Sequence, residues 1–163
     1  MMKVSSFRYI WVMILSMLAA IFLQGIMLPT WLDILRPEWV LLVLCYWLMN
    51  YPFRFNVGIA WLIGMVVDLF QGTLLGSHAL AYSLIAFIIL TLQHRMRLFP
   101  VWQQSLVILA VAILQQLILL GSHSMQNKFA LNWEIIVPIF SSALLWPWLC
   151  SGLRYYRRYF KLA

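Results

Sequence analysis

The charged residues of this chain are so few that they leave six long uncharged runs, and these runs restrict the fold more than any other feature. Only 9% of the 163 residues are Asp, Glu, Lys or Arg, against roughly 25% in an average soluble domain, and 65% are hydrophobic. A chain of this size has too little interior to bury so much apolar surface, so we expect much of it to face lipid. The six runs are Tyr9–Leu32, Trp39–Phe53, Phe55–Val67, Leu69–His94, Leu98–Asn127 and Ile135–Leu153.

The lengths of these runs predict how the chain divides into helices. The first, fifth and sixth runs are each long enough for one bilayer crossing of about 20 residues. The second and third are shorter, and Pro52 lies at the end of the second. Because proline cannot donate a backbone hydrogen bond and disfavours helix before it, the pair predicts a tight helical hairpin. The fourth run is too long for one span, and its turn-like stretch Gln71–Ser77 predicts that the next helix begins near His78.

The predicted fold is therefore an all-α membrane protein, a polytopic bundle of about six transmembrane helices. It forms a single integral-membrane domain over residues 1–163. The first segment has a longer apolar stretch than a signal peptide and is expected to stay as an anchor. The spans are predicted at about 10–28, 38–50, 55–70, 78–93, 100–120 and 135–153.

The basic residues are distributed unequally between the two ends of these helices. With six spans and both termini in the cytoplasm, nine of the 11 bases are cytoplasmic, and only Arg36 and Lys128 lie outside. This bias assigns the net charge of +7 to membrane orientation and argues against nucleic-acid binding. A re-entrant loop of segments two and three keeps both termini inside but places Arg54 at membrane depth, at a cost of roughly 3 kcal/mol. The nine are Lys3, Arg8, Arg54, Arg95, Arg97, Arg154, Arg157, Arg158 and Lys161.

Side chains suited to catalysis are scarce in this sequence. Cys45 and Cys150 lie at different predicted depths without CxxC spacing, and the three histidines lack the spacing of a zinc helix. The sequence contains no nucleotide-binding loop, hydrolase elbow or metalloprotease motif. We therefore predict no enzymatic activity, no catalytic residue, no metal site and no cofactor.

Asp68 is the one acid inside a predicted span, where a charge needs a partner. An antiparallel hairpin centred near Pro52 puts Asp68 level with Arg36, so the two are predicted to form an ion pair. Pro37 then occupies the first helical position and Glu38 the first turn, where the helix dipole favours an acid. In the other interpretation, Asp68 simply reaches interfacial water at a helix end.

Two further patterns predict how the bundle is shaped. One member of each pair Gln103-Gln104 and Gln115-Gln116 is expected to face a neighbouring helix, either to hydrogen-bond there or to line a transport path. Trp146-Pro147-Trp148 predicts a kink, either for packing or for a groove that receives a partner helix. Gly72 and Gly76 have GxxxG spacing, but at a span end this is more typical of a turn than of a dimerisation face.

Several of these segments together resemble the rod shape-determining protein MreD family in its proteobacterial form. The resemblance covers nearly the whole chain in order. It implies that Arg36, Pro37, Asp68, Gly72 and Gly76 are determinants of the fold or of an interface. The matching segments are Arg36–Leu42 with Tyr46-Trp47, Arg54–Gly58, Gly64–Leu69, Gly72–Gly76, Val101–Gln104 and Leu145–Trp148.

The resemblance implies a bacterial inner-membrane protein of the cell-elongation machinery with no enzymatic activity. Its implied partners are the bitopic protein MreC, the actin-like filament MreB, RodA and the penicillin-binding transpeptidase of RodA, besides membrane lipid. MreD is also similar in helix number and size to the substrate-binding subunits of energy-coupling-factor transporters. The alternative function is therefore a subunit that binds a small molecule in an outward-facing cavity, for which the candidates are Asp68, His78, Gln115, Gln116 and His123. A lipid-processing enzyme is a weaker alternative, because the sequence lacks the acid cluster that it needs.

Overall fold

The computed structural model describes residues 3–26, 29, 36–124 and 133–159, and their regular structure consists of six α-helices. This confirms the predicted all-α class and the number of helical segments. Among the described residues, three helices contain stretches long and apolar enough to cross a membrane, Ser77–Leu98, Val101–Ser122 and Ile136–Tyr155, and the other three contain shorter apolar stretches, Ile10–Gly25, Trp39–Asn50 and Val57–Gln71. The helices are α1 (Lys3–Gly25), α2 (Trp39–Asn50), α3 (Val57–Gln71), α4 (Ser77–Leu98), α5 (Val101–Ser124) and α6 (Trp133–Tyr159).

Helix α2 is the centre of the bundle. All ten residues from Val40 to Met49 are buried, which is the pattern of a helix enclosed on every side. It contacts α1, α4, α5 and α6. Its 12 residues extend for only about 18 Å, less than the hydrocarbon thickness of a bilayer. The shortest apolar helix therefore forms the core around which the longer helices pack.

The chain reverses between α2 and α3 as predicted, but these helices do not pack as a pair. In the turn, the backbone amides of Arg54 and Phe55 both donate to the carbonyl of Tyr51, and the Asn56 side chain caps α3 by accepting from the Ile59 amide. Beyond the turn, α3 makes its extensive contacts with α4 instead of α2. The predicted hairpin is therefore wrong as a packing unit.

The reason for this pairing is a close approach of two backbones at Gly64. A Cβ atom on Gly64 would lie 2.4 Å from the Cα of Ala79 and 2.7 Å from the carbonyl carbon of His78, so no side chain fits there. Ala60, four residues earlier on the same face of α3, is also buried. Small residues at this spacing let helices approach closely in membranes. The Ala60–Gly64 spacing is visible in the sequence, but it was not among the predicted features.

The far end of α4 extends beyond its predicted limit near Gln93, because charge alone does not end a helix. Arg and Met favour helix, and α4 continues to Leu98, where the following Phe99-Pro100 stops it. The extension brings Arg97 to the end of α2. Its Nε and Nη2 each donate to a terminal carbonyl there, those of Met49 and Asn50, at 2.9 Å. The last turn of α4 thereby caps the central helix.

Some predicted features lie outside the described residues. These are residues 125–132, which include Lys128, and residues 160–163, the end of the basic tail that begins at Arg154. The side chains of Lys3, Arg8, His123, Arg157 and Arg158 lie outside them as well.

Candidate functional site: polar side chains at one end of the bundle

Asp68 lies near the end of α3, and its carboxylate caps the start of α4. Its oxygens accept from the backbone amides of Gly76, His78 and Ala79 at 2.8, 3.0 and 3.4 Å. They also accept from Thr73 Oγ1 and His78 Nδ1, both at 2.8 Å. An ionised carboxylate only accepts, so Nδ1 of the histidine carries the proton. Gly76, the N-cap residue of α4, has no side chain to supply this cap, so Asp68 supplies it from the preceding helix.

Both interpretations of Asp68 from the sequence are wrong. Asp68 is only 1% exposed, so it does not reach interfacial water. Its hydrogen bonds within the described chain go to the 73–79 segment, so the predicted ion pair with Arg36 is not formed. A helix N-terminus attracts an anion through its unsatisfied amides and its dipole. Because α3 packs on α4, this N-terminus is the partner within reach.

Arg36 instead caps the C-terminal end of α1. Its Nη2 donates to the carbonyl oxygens of Leu23 and Ile26, which lie in and just after the last turn of that helix. A cation there complements the negative end of the helix dipole. Arg36 lies at the same end of the bundle as the turn after α3, because Arg36 and Thr73 line the same cavity.

The start of α2 differs by two residues from its prediction. The helix begins at Trp39 with Glu38 as its N-cap, so the buried Pro37 precedes the helix instead of opening it. The Glu38 carboxylate does not cap its own helix. It accepts from Gln24 Nε2 of α1 at 2.9 Å and from Gln116 Nε2 of α5 at 3.3 Å.

Glu38 is thus the meeting point of four helices. Its backbone amide donates to Ser142 Oγ of α6 at 2.9 Å, and this hydroxyl donates to the Pro138 carbonyl at 2.7 Å. Gln24 Oε1 in turn accepts from the Val40 amide at 3.2 Å. We call Gln24, Glu38, Gln116 and Ser142 the Glu38 cluster. Its hydrogen bonds tie α1, α5 and α6 to the start of the central helix.

A cavity of about 430 Å³ opens beside this cluster, and we call it the Glu38 cavity. None of the five residues predicted to line an outward-facing cavity, Asp68, His78, Gln115, Gln116 and His123, is among the described residues that line it. Asp68 and His78 form hydrogen bonds with each other at the α4 cap, and Gln116 forms a hydrogen bond with Glu38. The lining residues are Gln24, Gly25, Arg36, Pro37, Glu38, Phe70, Gln71, Thr73 and Pro138.

Gly72 and Gly76 confirm the predicted turn between α3 and α4. Gly72 ends α3 with a φ of 64° and Gly76 precedes α4 with a φ of 102°, both in the left-handed region that disfavours other residues. The turn places Thr73 Oγ1 and the Gly76 amide on the Asp68 carboxylate. Their role in the fold is therefore to build the α4 cap.

Trp146 and Trp148 lie on opposite sides of α6. Trp146 is fully buried, and its Nε1 donates to Gln104 Oε1 at 3.3 Å, while Gln104 Nε2 donates to the Met96 and Phe99 carbonyls at the end of α4. This confirms that one glutamine of the 103–104 pair joins helices. Trp148 is 79% exposed. Helix α6 runs continuously through Pro147, and a bend there stays a prediction.

The buried amide of Gln115 has no hydrogen-bond partner within the described chain, although its residue is 0% exposed. Replacing an unsatisfied polar group by an apolar one of similar size removes its desolvation penalty. We therefore expect Gln115→Leu to raise the free energy of unfolding by about 1 kcal/mol, measured by thermal unfolding in detergent. Gln116→Leu is the control and should lower stability, because it breaks the bond to Glu38. Loss of stability in Gln115→Leu would mean that the amide is bound by something outside the chain.

The acidic side chains at this end of the bundle make contacts that hold helices together. No group of three or more His, Cys, Asp or Glu residues within the described ranges could hold a metal ion. The hydrogen-bonded carboxylates of Asp68 and Glu38 serve helix ends and helix contacts. These hydrogen bonds can hold the helices in fixed positions relative to one another.

These features define a class: an all-helical membrane protein whose buried polar side chains join helix ends. Comparison with known families is more specific. The sequence model of the rod shape-determining protein MreD family matches residues 5–156. The rod shape-determining protein MreD of Haemophilus influenzae is 38% identical over 135 residues, which covers 82% of this chain and 83% of that protein.

The chain therefore belongs to the rod shape-determining protein MreD family, as the sequence resemblance predicted, and this family supports a role in cell shape. No solved structure matches the chain.

Proposed function

We propose that this protein is a non-enzymatic scaffold of the bacterial cell-elongation machinery. In this proposal it crosses the inner membrane with both termini in the cytoplasm, and it maintains rod shape by organising lateral peptidoglycan synthesis. Its partners are MreC, through that protein's transmembrane helix, then MreB, RodA and the penicillin-binding transpeptidase of RodA. Family membership supports the role in shape; the resemblance noted in the sequence supplies the partners.

The observation that carries the proposal is the contrast between interior and surface. The polar side chains of the interior largely bond to one another or to helix ends, as Asp68 and Glu38 do. The outer faces of the long helices instead carry exposed large apolar residues, among them Phe87, Leu117 and Trp148. Such faces suit lipid and partner helices, and packing between helices is how membrane proteins associate. The outer faces of the long helices are therefore the surfaces available for binding partner helices.

The charges support the proposed orientation. Arg54 and Arg97 line one cavity at the end of the bundle where α2 ends and α3 begins, and Arg95 lies in the same last turn of α4. Arg36 lies at the opposite end, beside the end of α1. Cytoplasmic ends retain positive charge during insertion, so the arginine-rich end is assigned to the cytoplasm.

Crosslinking to MreC tests the scaffold. A photoreactive residue at each of the exposed apolar positions Phe87, Leu117 and Trp148 probes three helix faces, and Tyr155 near the tail is the comparison. We expect MreC to crosslink to at least one helix face, and to co-purify with a chain truncated after Arg154. Crosslinks from Tyr155 alone, together with loss of MreC on truncation, would contradict packing between helices and favour a tail-mediated contact.

The Glu38 cavity supports one alternative, a substrate-binding subunit of a small-molecule transporter. It is polar and open, and charges of both signs line it through Arg36 and Glu38. Mass spectrometry of the purified protein under native conditions distinguishes the two functions. A stoichiometric small molecule that is lost in Glu38→Gln would favour transport. A scaffold is expected to show no such ligand with or without the substitution.

A further inference from the structure

We propose that the seam between α1 and α3 receives one membrane-spanning helix of a partner protein, and that a basic residue at the outer end of this helix pairs with Glu38. The inference rests on the proposed scaffold function and its orientation, and it gives that function a docking site. Three cavities adjoin one another along the seam, and their lining changes from apolar to polar toward the outer end. An apolar helix with a Lys or Arg at its outer flank matches this change.

The largest of the three cavities is an apolar groove of about 600 Å³, which we call the α1–α3 groove. It exists because α1 packs mainly on α2, while α3 packs mainly on α4, so that α1 and α3 touch only slightly. On α1 its lining extends from Ile10 to Ile21, a rise of about 17 Å or three helical turns. All of its lining residues within the described chain are apolar except Arg54 at the inner end. Helices pack by placing a row of side chains into such a groove, so its length suits several turns of a partner helix.

The lining of the groove combines buried and exposed side chains. Met13 and Met17 line it and are buried, whereas Ile14, Leu18 and Leu62 line it and are exposed. Methionine is unbranched and adapts its shape to what packs on it, so it is common at binding surfaces. A helix in the groove would pack on the two methionines and cover the exposed side chains beside them.

A smaller cavity, of about 150 Å³, continues the seam toward the outer end. It shares Ile21 with the α1–α3 groove, and with the Glu38 cavity it shares four residues, Gln24, Gly25, Phe70 and Gln71. A Cβ atom on Gly25 would meet nothing within 4 Å, so the seam is open at this point. A helix that lies in the groove would therefore bring its outer end to the Glu38 cavity.

The Glu38 carboxylate supplies the charge that selects this partner. The hydrogen bonds that it accepts from the described chain come from the neutral amides of Gln24 and Gln116. Each oxygen accepts one of these bonds, and a carboxylate oxygen can accept a second. Arg36 lines the same cavity, but its Nη2 donates to carbonyl oxygens at the end of α1. An anion in a membrane domain is stabilised by a cation, so a basic side chain is the ligand that Glu38 is suited to bind.

Charge also favours a helix over a lipid as the occupant of the seam. A phospholipid with an acyl chain in the groove would place its phosphate near the Glu38 carboxylate, where the two negative charges repel each other. A helix brings a Lys or Arg to the same place. The long stem of such a side chain can pack on Phe70 while its charged end reaches the carboxylate.

Site-specific photocrosslinking in living cells tests the seam. A photoreactive residue replaces Leu62, which lines the α1–α3 groove, or Leu80 of α4, which does not; the two side chains are 57% and 58% exposed. We expect Leu62 to crosslink to one protein, and mass spectrometry of the crosslinked peptide to identify a membrane-spanning segment with a Lys or Arg at its outer end. Leu80 is the matched control and should not crosslink to this segment.

Charge variants at the Glu38 cavity test the ion pair. Glu38→Gln keeps the shape of the side chain but removes its charge, so it should lower the crosslinking yield from Leu62 about tenfold, the loss of one charge-assisted contact. Gln71 is exposed and lines the same cavity, so Gln71→Lys should lower the yield about threefold by repulsion, whereas Gln71→Glu should not lower it. The Gln71 variants leave the Glu38 cluster intact, so they test the charge even if Glu38→Gln destabilises the bundle.

Three results would overturn the proposal. These are phospholipid adducts in place of a protein at Leu62, a crosslinked segment without a basic residue at its outer end, and a yield that Gln71→Lys leaves unchanged. The crosslinks to MreC from Phe87, Leu117 and Trp148 probe other helices, α4, α5 and α6, so the scaffold can be supported while the seam fails.

Discussion

The Gly64→Ala variant is expected to lose about 3 kcal/mol of stability, a large effect for a single methyl group. The new Cβ would lie 2.4 Å from the Cα and 2.5 Å from the backbone nitrogen of Ala79. Backbone atoms cannot rotate aside as a flexible side chain can, so α3 and α4 have to move apart along the most extensive helix contact in the bundle. Thermal unfolding of the purified protein in detergent measures the loss.

Gly58→Ala is the matched control on the same helix. A Cβ at Gly58 meets only the Asn56 Oδ1 atom at 3.5 Å, an ordinary contact, so the substitution should be neutral or add up to about 1 kcal/mol through helix propensity. Equal stability of the two variants would contradict the close approach of α3 to α4.

The second large effect is expected at Asp68. Asp68→Ala removes the acceptor for three backbone amides, a hydroxyl and an imidazole, and leaves them in a buried setting. Breaking such a buried, charge-assisted network costs about 4 kcal/mol. The α4 N-terminus should fray, so faster amide hydrogen exchange in the first turn of α4, at Ser77–Leu80, is the direct measurement alongside the loss of stability.

Two comparisons show whether the cap is the cause. Thr73→Val removes one donor and leaves the carboxylate with its other partners, so it should cost only about 1 kcal/mol. Exchanging charges as Arg36→Asp with Asp68→Arg should give no rescue, because Arg36 serves the end of α1. Rescue by this exchange would contradict the hydrogen bonding of Asp68 to the start of α4.

Local features of the chain were predictable from its sequence. The turn at Gly72 and Gly76 is an example, because residues that tolerate positive φ indicate a turn wherever it occurs. The helical segments follow from the apolar runs, and the end of α4 follows from Pro100 once helix propensity is weighed beside charge. Each of these depends on a few neighbouring residues.

Pairing between helices was less predictable, and Asp68 shows why. Its position near a helix end was evident, but its partner depended on whether α3 packs on α2 or on α4. That choice is made by Gly64 and Ala79, which allow two backbones to touch. The size of the residues on a helix face therefore indicates which helices pack together better than the short connection between α2 and α3 does.

The Glu38 cluster was beyond sequence reasoning for a related reason. Gln24, Glu38, Gln116 and Ser142 are distant in sequence, and each is an ordinary polar residue near a helix end or in an apolar run. Only the bundle brings them together. The sequence did indicate that one glutamine of each adjacent pair joins helices, and Gln104 and Gln116 do so.

Depletion of this protein in its own bacterium is the most direct test of the account, in which a bundle held by internal polar contacts serves cell shape as a scaffold. Cell width and shape are followed by microscopy on rich medium and on defined media with single supplements. We expect rods to round and swell on every medium, and the wild-type chain to restore rods. Cells that stay rod-shaped but stop growing until one nutrient is supplied would contradict the scaffold and favour transport.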